Sequence, residues 1–282
     1  MLTLAADFSW FSLGKDVDAY YRTERRQRYR KFGKMKPIKP KSAALAYLES
    51  RKITAATAER YQITVQIERE NVLVFPFLDE KGNMQFIKYR KTDFNPEKDS
   101  NKEWCEANCK PILFGMYQCN LENKTLIMTE GQLDSLSVAE SGIENAVSVP
   151  NGKNGFTWVP YCWDWLQNFN TLIVFGDCER GSITLLDDMR RRFHGTVKAV
   201  RQQDYKGCKD ANEILQKYGQ DAVRNAVDQA EVLPMKQVEE LADVKAVDLF
   251  SLPKIPTGIK SLDRVLSGGI YLGQTVILTG KR

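Results

Sequence analysis

Histidine is almost missing: His194 is the single one in 282 residues. Its scarcity removes the side chain most used for zinc ligation and for proton transfer near neutral pH, and leaves metal chemistry to carboxylates or thiols. The thiols lack the required spacing. Cys105, Cys109, Cys119, Cys162, Cys178 and Cys208 include no CxxC pair, whereas structural zinc sites show such pairs, alone or with HxxxH. No zinc is therefore expected, and the cysteines read as semi-buried structural residues. Met1 to Gly14 has no basic n-region and contains Asp7, so a signal peptide is not expected and the compartment reads as reducing and cytoplasmic, with free thiols. No apolar run approaches the ~20 residues that span a bilayer. Acids are nearly absent from one stretch: between Arg22 and Lys41 stand ten Lys or Arg and one acid, Glu24.

What is present suits two small domains. The basic segment, residues 1–41, interleaves its charge with Tyr21, Tyr29 and Phe32. That pattern fits a nucleic-acid strand, with charge for phosphates and rings for bases, and it equally fits a solvated linker. Helical spacing follows over Ala43–Leu48 and Thr54–Tyr61. Val72–Phe77 and Met84–Arg90 then flank Asp79-Glu80-Lys81-Gly82-Asn83, whose turn chemistry predicts a β-hairpin. Lys88 and Arg90 lie two apart on the second strand and share a face, either to hold phosphates or as a charged edge that resists aggregation.

From Lys124 the chain alternates strand and helix. Strands are predicted at Leu126–Met128, Ala146–Val149, Thr171–Phe175 and Thr196–Val200. Helices are predicted at Leu133–Glu140, Trp158–Phe169, from a Ser182 cap to Phe193, and at Ala211–Tyr218 and Asp221–Ala230. Such alternation specifies an α/β fold with a mainly parallel sheet and helices on both faces. Residues 233–254 read as a linker with one helix, Val238–Val247, and 255–282 as the incomplete start of a further domain.

Three strand ends carry acids: Glu130 and Asp134 after the first, Asp177 and Glu179 after Thr171–Phe175, and Asp210 in the loop after the last. Ligand sites in open parallel sheets form at the carboxyl ends of the strands. Clustered acids repel one another unless a divalent cation or a shared proton relieves them, and hard oxygen donors favour Mg²⁺ or Mn²⁺. Each acid also has a bland role. Asp134 could stabilise a helix start, Asp177 could make a turn, and Asp210 with Glu213 has capping-box spacing. Of the five, Glu130 carries the most weight and Asp134 the least.

Glu130-Gly131 at a strand end, an acidic pair one β-α unit later, and Lys209-Asp210-Ala211-Asn212-Glu213 together resemble the TOPRIM family. More narrowly they resemble the primase part of phage-type bifunctional primase-helicases and their Twinkle relatives. Thr257-Gly-Ile-Lys-Ser-Leu-Asp263 with Gly268-Gly269 is similar to the entry of a RecA-like helicase domain. The resemblance implies a TOPRIM domain over 122–232, preceded by a smaller α+β primase lobe over 42–121. It implies Mg²⁺-dependent primer synthesis from NTPs on single-stranded DNA during replication, in a nucleoid or phage replication complex. Glu130, Asp177 and Glu179 would be catalytic; Glu130, Asp134, Asp177, Glu179 and Asp210 would bind metal; Lys88, Arg90 and Lys209 would bind nucleotide or template. A ring-forming homo-oligomer is implied for the full-length protein, and no membrane partner. The runner-up is a non-catalytic DNA-binding and assembly module of a ring helicase. Three departures stand out: Asp177-Cys178-Glu179 replaces DxD, no zinc ribbon is visible, and Gly280-Lys281-Arg282 stops where a P-loop would be completed.

Overall fold

The computed structural model describes residues 29–32, 42–151, 156–233 and 252–272. The rest of the basic segment, the linker helix 238–247 and the closing strand around 276–280 lie outside the described residues. The chain divides at Leu233 into two units.

In the first unit, α1 (Ser42–Ser50) and α2 (Ala55–Arg60) form the predicted helical pair. Thr54 caps α2 through the Thr57 amide at 3.4 Å. The strands β1 (Thr64–Gln66), β2 (Arg69–Leu78), β3 (Met84–Lys91) and β4 (Glu103–Cys105) follow. They build one antiparallel sheet in that order. Asp79 makes the β2–β3 turn, its Oδ1 accepting from the amides of Lys81 at 3.0 Å and Asn83 at 2.8 Å. Leu73, Phe75 and Phe77 pair with Arg90, Lys88 and Phe86. Cross-strand partners share a face, so the two cations stand at the end of an apolar stripe.

The second sheet is wholly parallel. It contains β5 (Thr125–Thr129), β6 (Ala146–Ser148), β7 (Thr171–Phe175) and β10 (Thr196–Ala199), in the order β10-β7-β5-β6. Its helices are α3 (Gln132–Glu140), α4 (Val159–Leu166) and α5 (Thr184–Arg192), followed by α6 (Ala211–Tyr218) and α7 (Gln220–Asp228). The path from β5 to β6 steps one way along the sheet and the later crossovers step back. Right-handed crossovers therefore put α3 on one face and α4 and α5 on the other. The last two helices pack against α3.

One prediction is corrected. Ser182 does not cap a helix; it lies in β9 (Ser182–Ile183), paired antiparallel with β8 (Cys178–Glu179), and α5 begins after Ile183. Arg180 and Gly181, at φ +52° and +76°, have the left-handed pair of angles of a two-residue hairpin turn. The turn reverses the chain before the helix can start.

The two sheets share one apolar core. Phe114, fully buried, has ring contacts with Tyr61 (5.4 Å), Phe75 (5.9 Å) and Phe77 (5.3 Å). Its backbone meanwhile pairs with Ser148 at the end of β6. One residue thus joins the antiparallel lobe to the parallel sheet. Gly115, at φ +91°, lets the chain turn there; a Cβ would come within 2.5 Å of the Ala146 carbonyl.

In the second unit, β11 (Lys254–Ile255) and β12 (Ile270–Tyr271) pair around α8 (Lys260–Val265). Asp263 Oδ1 accepts from both the amide (2.7 Å) and the hydroxyl (2.6 Å) of Thr257. That clasp closes the Thr257-to-Asp263 stretch singled out in the sequence.

Candidate metal centre

Three neighbouring strands, β10, β7 and β5, end at one edge of the parallel sheet, and each delivers an acid there. After β5 come Glu130 and Gly131, and Asp134 follows in the first turn of α3. Asp177 follows β7, and Asp210 caps α6, its Oδ1 accepting from the Glu213 amide at 2.7 Å. Oxygens of Asp134, Asp177 and Asp210 all lie within 4.8 Å of one another.

The cluster is strained electrostatically. Burial, then the charges of Asp210 and Asp177, holds the Asp134 carboxyl well above the usual carboxylate range, against the pull of the Asn212 amide on its Oδ1 at 3.0 Å. Asp210 is also raised, by burial first and by the charge of Asp177, while its bond from the Glu213 amide works the other way. Buried carboxylates that repel one another are relieved by a cation or a retained proton. Asp210 has both the capping role and the cluster role. The capping box is not closed on itself, for Glu213 Oε2 accepts from the amide of Lys209, at 3.2 Å.

Glu130 is buried beside the trio. Its Oε1 accepts from the Asp177 amide at 3.2 Å and would lie 3.0 Å from a Cβ on Gly176. It holds the turn that presents Asp177. Glu179, half exposed on β8, and Asp177 share the Lys209 ammonium, at 3.3 and 2.8 Å. The Asp177 bond and charge raise the Lys209 pKa.

A cleft of about 430 Å³ opens over these acids. Glu130, Gly131, Asp134, Asp177 and Asp210 line it from the parallel sheet, with Asn151, and Lys88, Glu103, Trp104 and Cys105 line it from the antiparallel lobe. Lys88 reaches the cleft with its ammonium 2.8 Å from Glu103. Arg90 is placed differently. It pairs with Glu103 and donates to the Tyr47 hydroxyl at 2.9 Å, behind Lys88 and outside the cleft lining. Burial acts to raise Glu103, yet Lys88 and Arg90 prevail and hold it below its ordinary value.

Sequence reasoning quoted Asn212 without giving it a part. Besides its amide bond to Asp134, its side chain donates to Ser137 Oγ (2.8 Å) and to the Arg51 carbonyl (3.0 Å). It thereby ties α6 to α3 and to the turn after α1. An asparagine one residue inside a helix, between acids, was the available signal. Glu103 was missed because it is sequence-distant from every acid in the three motifs. Tyr205 was missed as well: fully buried against Phe175, it donates to the Gly176 carbonyl at 2.7 Å.

Asp134, Asp177 and Asp210 at one sheet edge, facing Lys88 and Glu103 of the antiparallel lobe across a cleft, make a candidate divalent-metal site. The fold places it further, as the TOPRIM-type primase fold. The DnaG primase catalytic domain bound to single-stranded DNA superimposes with a TM-score of 0.53 at 17% identity, covering 67% of this chain and 72% of that one. In sequence, the chain is related to the primase homolog protein of Arabidopsis thaliana, 26% identical over 210 residues, 67% of this chain and 60% of that protein. It is also related to the Twinkle homolog protein, chloroplastic/mitochondrial, of the same plant, 24% identical over 263 residues, 83% of this chain and 35% of that protein. The chain spans less than two thirds of the length of either relative. No protein-family profile matches it.

Proposed function

We propose that this chain is the DNA primase portion of a primase-helicase, joining NTPs into short RNA primers on single-stranded DNA at a Mg²⁺- or Mn²⁺-dependent site. The observation that carries the reading is the Asp134, Asp177 and Asp210 trio, within 4.8 Å, opening on the cleft that Lys88 lines from the other lobe. The donor set fits a hard divalent ion: oxygen ligands alone, two of them with raised pKa values that a cation would relieve. Such an ion, when bound, activates an attacking hydroxyl and stabilises departing pyrophosphate. Asp134, Asp177 and Asp210 would hold it, with Glu130 and Glu179 as further ligands and Glu130 fixing the Asp177 turn.

Lys88 faces the space where nucleotide phosphates would lie. Arg90 supports it by sharing Glu103. Similarity to a DnaG domain solved with single-stranded DNA supports a DNA template, and the Thr257-to-Asp263 stretch, similar to the entry of a RecA-like helicase domain, supports a helicase partner domain and, in the full-length protein, a ring. No helix among the described residues is long and apolar enough to cross a membrane. The plant relative is named for chloroplast and mitochondrion, so we assign the compartment to wherever the copied DNA lies, nucleoid and phage replication complex included.

Dinucleotide synthesis from NTPs on a mixed-sequence single strand with Mg²⁺ tests the proposal. Product from the wild type that falls to background in Asp177→Ala is the expected result. No product on any template, with DNA binding intact, would replace the enzyme with a binding and assembly module. Cleavage of the DNA would replace it with a nuclease.

A further inference from the structure

Lys209 stands where a cation is wanted. Its ammonium lies 2.8 Å from Asp177 Oδ2 and 3.3 Å from Glu179 Oε1, while Asp177 also belongs to the trio of carboxylates. One carboxylate therefore serves two cation positions. The backbone of Lys209 is pinned: its carbonyl accepts from the Cys178 amide at 2.8 Å and its amide donates to Glu213 at 3.2 Å. The side chain is 46% exposed, so its four-carbon stem can reorient while the backbone stays in place.

We propose that Lys209 is a built-in competitor of the divalent ion, neutralising Asp177 and Glu179 until the ion takes Asp177 and the ammonium is turned toward the cleft. The inference rests on reading the trio as a metal site. A doubly charged ion on Asp177 and an ammonium on the same carboxylate would repel at a few ångströms' separation, and that repulsion sets the competition. Lysine suits the task, because its compact charge sits on a flexible stem, whereas an arginine fork would clamp the carboxylates in two-point contact. Glu179, 52% exposed, keeps the released ammonium close by. An anionic phosphate entering the cleft then meets a lysine that has just lost half its neutralisation. The ion on its own is held weakly, and the ion arriving with phosphate is held well.

Mn²⁺ alone, titrated into chelator-treated full chain and followed by the electron paramagnetic resonance of the free ion, tests this without any turnover. Lys209→Ala should bind Mn²⁺ about tenfold more tightly than the wild type, and Lys209→Arg no more tightly than the wild type. Asp177→Ala should lose the binding. Should Lys209→Ala unfold, Lys209→Met takes its place, with circular dichroism to show a folded chain. Unchanged or weaker affinity in a folded lysine variant, with Asp177→Ala still deficient, overturns the competitor and leaves the metal site standing. Wild-type affinity in Asp177→Ala overturns the metal site itself.

Discussion

Glu103 shows how much one residue can hold. It is the shared acceptor for two cations that are nearly buried, with side-chain exposures of 11% for Lys88 and 12% for Arg90. Replacing it by glutamine removes the carboxylate that both pair with among the described residues. The expected cost at neutral pH is about 1–3 kcal/mol, less than for a fully enclosed pair because Glu103 keeps 30% of its exposure. Urea unfolding of Glu103→Gln measures it. The folded-state pKa of Glu103 lies below its ordinary 4.5, so its stabilisation is complete above that value and is lost as pH falls through the lowered one. Wild type and variant should therefore converge in acid; a gap that persists or widens there would show that the pair is not the source. Nothing in the sequence marked Glu103, because its partners become neighbours only through the β3–β4 register.

Legibility was high where one element decides its own structure. β7 runs over Thr171–Phe175 as its apolar run predicted, and the β2–β3 hairpin follows from Asp79 and Gly82. It failed where a turn overrode a cap, as at Ser182, and at the short strands β1, β4, β8 and β9, whereas β6, as short as β1 and β4, was predicted. The sequence grouped five acids, and the structure brings the oxygens of three of them, Asp134, Asp177 and Asp210, within 4.8 Å. Asp134, given least weight, lies in the trio, and Glu130, given most, holds the neighbouring turn. Helix periodicity cannot tell that the first turn of α3 is buried under α6. Gly131 reports on that burial. At φ −104° its backbone would accept any residue, yet a Cβ would lie 2.4 Å from Asp134 Oδ2. Gly131→Ala should leave the circular dichroism spectrum unchanged while weakening Mn²⁺ binding about tenfold or more, by pushing the Asp134 carboxylate aside. Wild-type Mn²⁺ affinity in that variant would show that Asp134 has room to spare.

At the scale of the first unit, the lobe and the parallel sheet are expected to unfold as one body, since the Phe114 ring packs among residues of the lobe while its backbone pairs with Ser148 of the parallel sheet. Truncating Phe114 to alanine should cost about 3–5 kcal/mol and lower the stability of both sheets together. Thermal unfolding followed by tryptophan fluorescence, and in parallel by far-ultraviolet circular dichroism, should move as a single transition. Two separated transitions would mean that the lobes fold independently. The family resemblance placed their boundary after residue 121, and had no means of seeing that Phe114 bridges the two parts.

The acid-bearing segments sit far apart in the chain, and that has a consequence during synthesis. A nascent polypeptide exposes Glu130 and Asp134 first, Asp177 and Glu179 later, and Lys209 through Asn212 last. Until Lys209 through Asn212 leave the ribosome, Asp134 lacks the amide of Asn212, and Asp177 and Glu179 lack the contact with Lys209. The centre is thus completed by its final segment, Lys209 through Asn212. A product released before Lys209 would carry all four strands of the parallel sheet and none of the closure.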